Sequence, residues 1–315
     1  MNGITCRLSC SVFAALATLA AFVACAPAGI PASGLIADGT LRRLPVNDAE
    51  LHYLATGSGP AIVFVHGGLA DYREWLPVME QLKGRYTAIA YSRRHADPNR
   101  DNPVSPRHSP ITEADDLAAL IGALDAGPVH VAGVSYGAST SLFLALRHPE
   151  LVRSLSLVEP PLVSWLPQID GGQPVLDDFN ARLVDPVRAA FLAGDREAAF
   201  ATTLRYFAGP DAMEQIPIEV LDSLRANLRD WEAMFRSSEL LPDIPRESLR
   251  RLDLPVLMLS GAASYELGQL VDGELERTIP GVRRVVVADG THDACIEQPA
   301  VCATAIGAFI DGQPR

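Results

Sequence analysis

The five residues Gly133-Val134-Ser135-Tyr136-Gly137 constrain this chain more than any others. The β-branched stretch Val129-His130-Val131 precedes them, and the helix-forming run 138–147 follows until His148-Pro149 stops it. Strand, sharp turn and helix in so short a span put Ser135 at the tip of the turn in a strained backbone. Glycines flank it because a Cβ at either place would strike the neighbouring strand or helix. Such a turn needs a sheet in front of it and a packed helix behind. Strand-like runs at 51–56, 61–65, 86–91, 129–133, 154–158, 256–260 and 282–287 supply the sheet, alternating with helical patterns such as 72–82 and 112–124. Alternation of this kind predicts an α/β fold, with a mainly parallel central sheet covered by helices on both faces. Residues 162–252 interrupt it: they carry helical patterns at 176–192, 195–207 and 218–237 and no strand, which predicts a helical cap inserted into a core of 41–161 and 253–315. Most cap apolar side chains, Phe207 and Trp231 among them, read as packing, with a few left to line a pocket.

The first 25 residues read as a leader rather than fold: a short basic start, an uncharged apolar centre and small residues at the exit. Phe22-Val23-Ala24-Cys25 resembles a bacterial lipobox, with Cys25 as the lipidated residue, although Leu is usual where Phe22 stands. Cleavage at Ala24-Cys25-Ala26 and an uncleaved anchor are the alternatives. The expectation is an exported protein, periplasmic or tethered to the membrane as a lipoprotein. Residues 26–40 read as a flexible tether.

A net charge of −12 argues against a nucleic-acid partner, whose phosphates need Lys and Arg. With Cys6, Cys10 and Cys25 in the leader, Cys295 and Cys302 remain, and their spacing is not that of a zinc site. On one helix they would stand about 10 Å apart along the axis. They can form a disulfide only if Cys295 precedes the helix that carries Cys302.

From about residue 41 to 313 the chain resembles an α/β-hydrolase with a helical cap. The resemblance rests on His66-Gly67-Gly68 after a strand, the serine turn, Arg147-His148-Pro149-Glu150-Leu151-Val152 leading into the next strand, and Gly290-Thr291-His292 after the last. It implies Ser135 as nucleophile and His292 as general base, because a serine hydroxyl needs a base at neutral pH. It implies an oxyanion hole from the backbone N–H of Tyr136 and of Gly68, with Leu69 as the alternative second donor. The family's usual acid falls three residues after the glycine ending the penultimate strand. Here that glycine is Gly261 and the place holds Ser264. Glu159, after the strand that follows the serine helix, is the first replacement, an arrangement similar to that of some haloalkane dehalogenases. Glu266 is the second, with Asp289, Asp293 or no acid behind them. The family's D-x-R-G pattern is also altered, to Tyr91-Ser92-Arg93-Arg94, so Arg93 and Arg94 either tie loops by ion pairs or contact an acidic substrate.

The expected activity is a serine hydrolase acting on a small or medium carboxylic ester, needing neither metal nor cofactor. Lactonase, thioesterase and carbon–carbon hydrolase chemistry would use the same residues. The rival of another class is a non-catalytic binding protein on the same scaffold. An Asp at the turn would have pointed to dehalogenase or epoxide chemistry; Ser135 points away from both.

Overall fold

Eight strands form one sheet in the computed structural model, which describes residue 35 and residues 37–313. They are β1 (Asp38–Val46), β2 (Ala49–Gly57), β3 (Ala61–Val65), β4 (Thr87–Tyr91), β5 (Val129–Val134), β6 (Val152–Val158), β7 (Val256–Gly261) and β8 (Arg283–Val287). Their order across the sheet is β1-β2-β4-β3-β5-β6-β7-β8. β2 pairs antiparallel with β1 and β4, and all other pairs are parallel. The central strands are almost continuously apolar because helices cover both faces. Alternate side chains still divide between them: Ile62 and Phe64 of β3 pack with Trp75, Val78 and Met79, while Val63 and Val65 join Leu117 and Leu142.

Helices α1 (Leu76–Leu82), α2 (Pro110–Ala123) and α3 (Tyr136–Arg147) precede β6. Between β6 and β7 the chain is helical: α4 (Gly172–Phe179), α5 (Asp185–Leu192), α6 (Arg196–Ala208), α7 (Ala212–Gln215), α8 (Ile218–Ala226), α9 (Leu228–Arg236) and α10 (Arg246–Arg250). Helix α11 (Glu266–Thr278) follows β7, and α12 (Ala294–Glu297) and α13 (Pro299–Asp311) follow β8. Because β5 to β8 run parallel, their C-terminal ends share one edge of the sheet. Ser135, Glu159 and His292 all leave the sheet there, at the edge where open α/β sheets bind ligands.

Four details differ from the sequence expectation or complete it. Asp38, Gly39 and Thr40, read as tether, are already β1; this polar edge strand has no apolar run to announce it and is fixed by its ladder to β2, Leu41 opposite Leu54 and Arg43 opposite His52. The helix expected at 176–192 begins at Gly172 and carries a π-helical stretch, Asn180–Val184, between α4 and α5. The helix expected at 218–237 is two, broken at Asn227. The Asn227 side chain donates to Asp71 Oδ2 at 2.7 Å and accepts the Asp97 N–H at 2.8 Å, tying the break to core loops that periodicity cannot foresee. Finally, α12 and α13 are separate because Pro299, lacking an N–H, cannot extend the first into the second. That break brings the Cα atoms of Cys295 and Cys302 to 5.4 Å, and the two form a disulfide. The leader, Cys25 and most of the tether lie outside the described residues. Among the described residues no helix is long and apolar enough to cross a membrane.

Candidate active site

Ser135 has φ 53° and ψ −122°, a conformation side chains rarely adopt, at the junction of β5 and α3. Its N–H donates to the Val158 carbonyl at 2.8 Å, and its own carbonyl accepts from Ala138 and Ser139. The turn is thereby pinned to β6 on one side and α3 on the other. A Cβ on Gly137 would strike the Val65 and His66 carbonyls, and one on Gly133 would strike the Gly137 carbonyl. The hydroxyl of Ser135 is half-buried at the N-terminus of the 12-residue helix α3, whose dipole favours negative charge there. Among the described residues no hydrogen bond joins it to His292; such bonds are often long before substrate arrives.

His292 lies in the loop after β8, and its Nδ1 is 2.7 Å from Glu159 Oε2. The partner carboxylate fixes the tautomer, with the proton on Nδ1 and Nε2 left free to accept. Burial disfavours the charged imidazolium, but the hydrogen bond and charge of Glu159 outweigh it, with help from Asp293, and hold the His292 pKa above its ordinary 6.5. Glu159 is only 2 % exposed and sits at φ 46°. Its Oε1 accepts the Gly261 N–H at 2.8 Å, and its Oε2 also accepts the Ser264 hydroxyl at 2.5 Å. Ser264, standing where the family's acid is usual, thus donates to the carboxylate that meets His292. Gly268 makes the arrangement fit: a Cβ there would lie 2.8 Å from Glu159 Oε2. Glu266 is exposed in the first turn of α11 and makes no hydrogen bond or ion pair with His292. Asp289 and Asp293 likewise make no hydrogen bond to His292.

The turn after β3 carries the backbone amides of Gly67, Gly68 and Leu69. Glu74 Oε2 takes the Gly67 N–H at 2.8 Å, so that amide is engaged. The N–H groups of Gly68 and Tyr136 have no protein acceptor among the described residues. Leu69 is buried with φ 57°. The Trp231 indole from the cap lies against Gly68 where a side chain would otherwise be. Burial pushes the Glu74 carboxyl up to about 8, against the Gly67 N–H, which favours its ionised form. His66 donates through Nδ1 to the Gly67 carbonyl at 2.8 Å and accepts the Arg93 N–H through Nε2 at 2.9 Å. Burial and the Arg93 charge push its pKa down to about 3, so it shapes the loop as a neutral ring.

Arg93 and Arg94 are engaged within the protein. Arg93 is fully buried, 2.6 Å from Asp230 on α9 and 3.4 Å from Glu113 on α2, with its guanidinium over the Tyr136 ring. Arg94 forks onto Asp116 and reaches Asp48. His108, Glu113 and Asp230 bring ligand atoms within 4.8 Å of one another, a spacing a metal ion could use, but the Arg93 guanidinium already supplies the positive charge there.

The remaining surround is aromatic. Phe207 stacks on the His292 ring at 6.4 Å, and Tyr265 leans on it at 4.8 Å. A cleft of about 340 Å³ opens within the cap, lined by Val163, Phe179, Arg188 and Leu240 among others, and includes none of these residues. Sequence reading overlooked Ser264 as a donor, and also Glu74, Gly268 and Tyr265. Ser264 could have been found from the vacant acid position; the other three carry no local signal.

The family model for the alpha/beta hydrolase family matches residues 62–305. The uncharacterized hydrolase YraK of Bacillus subtilis is 37% identical over 132 residues, a match spanning 42% of this chain and 47% of that protein. The 2-(acetamidomethylene)succinate hydrolase of Mesorhizobium japonicum is 28% identical over 278 residues, 86% of this chain and 95% of that protein. Among solved structures, the enol-lactonase of Burkholderia xenovorans superimposes with a TM-score of 0.68 at 20% identity, covering 86% of this chain and 100% of the other. Carboxylesterase CesB of Bacillus subtilis does so with a TM-score of 0.66 at 18% identity, over 87% and 92%. With the family model spanning the six strands from β3 to β8, the serine turn and the histidine loop together, the chain belongs to the alpha/beta hydrolase family.

Proposed function

We propose that this protein is a serine hydrolase acting on small or medium carboxylic esters through an acyl-enzyme. The observation that carries the reading is the buried Glu159–His292 pair, 2.7 Å apart, on the same sheet edge as the strained Ser135. In this mechanism His292 Nε2 takes the proton of Ser135 as the hydroxyl attacks the acyl carbon, and Glu159 stabilises the imidazolium without itself taking a proton. The N–H groups of Gly68 and Tyr136 receive the oxyanion. The proton then passes from Nε2 to the leaving group, and water activated by the same nitrogen releases the acid. The aromatic surround of Phe207, Tyr265 and Trp231 supports an uncharged substrate, since both Arg93 and Arg94 are spent on internal carboxylates. Lactones remain the nearest second class: the enol-lactonase likeness favours them, and a lactone is an ester closed on itself.

The test is hydrolysis of p-nitrophenyl acetate, butyrate and octanoate by wild type and Ser135→Ala. Turnover by wild type and none by the variant supports the reading. Failure of both to turn over, with no fluorophosphonate labelling of Ser135, would favour the binding-protein alternative. Export with lipidation at Cys25 is proposed from the leader alone, and loss of fatty-acid labelling in Cys25→Ser is its check.

A further inference from the structure

The Tyr265 hydroxyl lies 3.4 Å from Nε2 of His292. Glu159 occupies Nδ1, so Nε2 is the nitrogen left for proton transfer. Tyr265 is held in place from several sides. It caps α11 in an extended conformation, φ −68° and ψ 156°, directly after Ser264, whose hydroxyl is bound to Glu159. Its ring meets the imidazole at 57° and faces Phe207 at 6.1 Å. One short loop after β7 therefore steadies the acid with Ser264 and faces the base with Tyr265. At 3.4 Å the hydroxyl is beyond a settled hydrogen bond but close enough to share one small oxygen with Nε2. Burial, with the negative charge of Glu159, raises the phenol well above its usual range, so the group keeps its proton and can donate.

Building on the serine-ester reading, we propose that Tyr265 is a catalytic hydrogen-bond donor to the leaving-group oxygen. During acylation the Ser135 Oγ–acyl bond forms and the Oγ proton moves to Nε2. The acyl–oxygen bond to the alcohol then breaks, its electron pair stays on the departing oxygen, and that oxygen takes the proton from Nε2. Tyr265 gives up no proton; its O–H donates to the same oxygen while negative charge grows there. Help of this kind matters most where the departing oxygen is strongly basic. The arrangement therefore selects esters of aliphatic alcohols, beyond the activated aryl esters that any competent serine would cleave.

The experiment compares kcat/KM for ethyl butyrate and p-nitrophenyl butyrate in wild type, Tyr265→Phe and Ser135→Ala. Loss of a hydrogen bond to a charging oxygen should lower Tyr265→Phe on ethyl butyrate by about 10- to 100-fold. The nitrophenyl ester, whose leaving group needs little help, should change by less than about 3-fold. Equal losses on both esters would mean that Tyr265 only packs against His292, and no loss on either would mean that it does nothing in the reaction; each overturns the proposal. Ester turnover that survives Ser135→Ala, or a wild type inert to both esters, overturns the serine reading beneath it, and the Tyr265 step falls with it.

Discussion

Two buried ionic sites a short way apart are built to opposite standards. At the acid corner, Glu159 has both carboxylate oxygens satisfied, by the Gly261 N–H, the Ser264 hydroxyl and His292. At the seam between cap and core, Arg93 and Asp230 are equally buried and 2.6 Å apart, yet Arg93 Nε, Asp230 Oδ1 and both ring nitrogens of His95 have no hydrogen-bond partner among the described residues. Fully paired polar groups fix one geometry; partly paired ones hold by attraction while still carrying a desolvation cost. The difference teaches where this molecule spends its order. The corner is made at three strand ends of one sheet, with both Glu159 oxygens paired. The seam joins α9 to the loop after β4, two pieces far apart in sequence, and is held mainly by charge.

The comparison breaks first at the corner if Glu159→Gln behaves like wild type. By analogy with neutralising the triad acid in other serine hydrolases, kcat on p-nitrophenyl butyrate should fall by about 10⁴-fold, with urea unfolding near wild type. At the seam the order of effects reverses. Asp230→Ala removes the nearer partner of the buried Arg93 cation and leaves it only Glu113 at 3.4 Å, which should cost about 3 kcal/mol in urea unfolding. Its kcat per folded molecule should stay within about tenfold of wild type, since it removes no group of the proton-transfer chain. Loss of activity without loss of stability would move the seam into the catalytic machinery.

A smaller effect belongs to the loop that follows His292. Opening the seven-residue span closed by Cys295 and Cys302 should cost about 2 kcal/mol on the chain-entropy model, read as a lower unfolding midpoint of Cys295→Ala/Cys302→Ala. The smallest effect is on pH. The base works only when neutral, so kcat/KM should rise with pH through a midpoint above the ordinary 6.5 of histidine. Glu159→Gln should move that limb down, because the charge that raises the pKa is gone while burial remains. The linked stability has the matching sign. A raised folded pKa stabilises the protein below the unfolded value and loses that contribution as pH rises through the folded one.

Much of this was readable in the chain. The β5 turn announced itself through glycines that must be glycines, and the parallel sheet through apolar runs of strand length. The places of Ser135 and His292 beyond strand ends were legible because each stands in a local motif. Glu159 was one choice among several, since what selects a carboxylate for His292 is not its neighbours in sequence. It is the Ser264 hydroxyl 105 residues away, the Gly261 amide 102 residues away, and the space left by Gly268.

The sequence by itself determined the class of fold and the strained turn that holds Ser135 at one edge of the sheet, because turns and strands are set by local sterics and by short-range pattern. Only the tertiary structure decided that Glu159 rather than Glu266 meets His292, that Arg93 and Arg94 are spent inside the protein, and that Tyr265 faces the base. Those outcomes depend on side chains converging from separate elements, and convergence is a property of packing in three dimensions that no local pattern records.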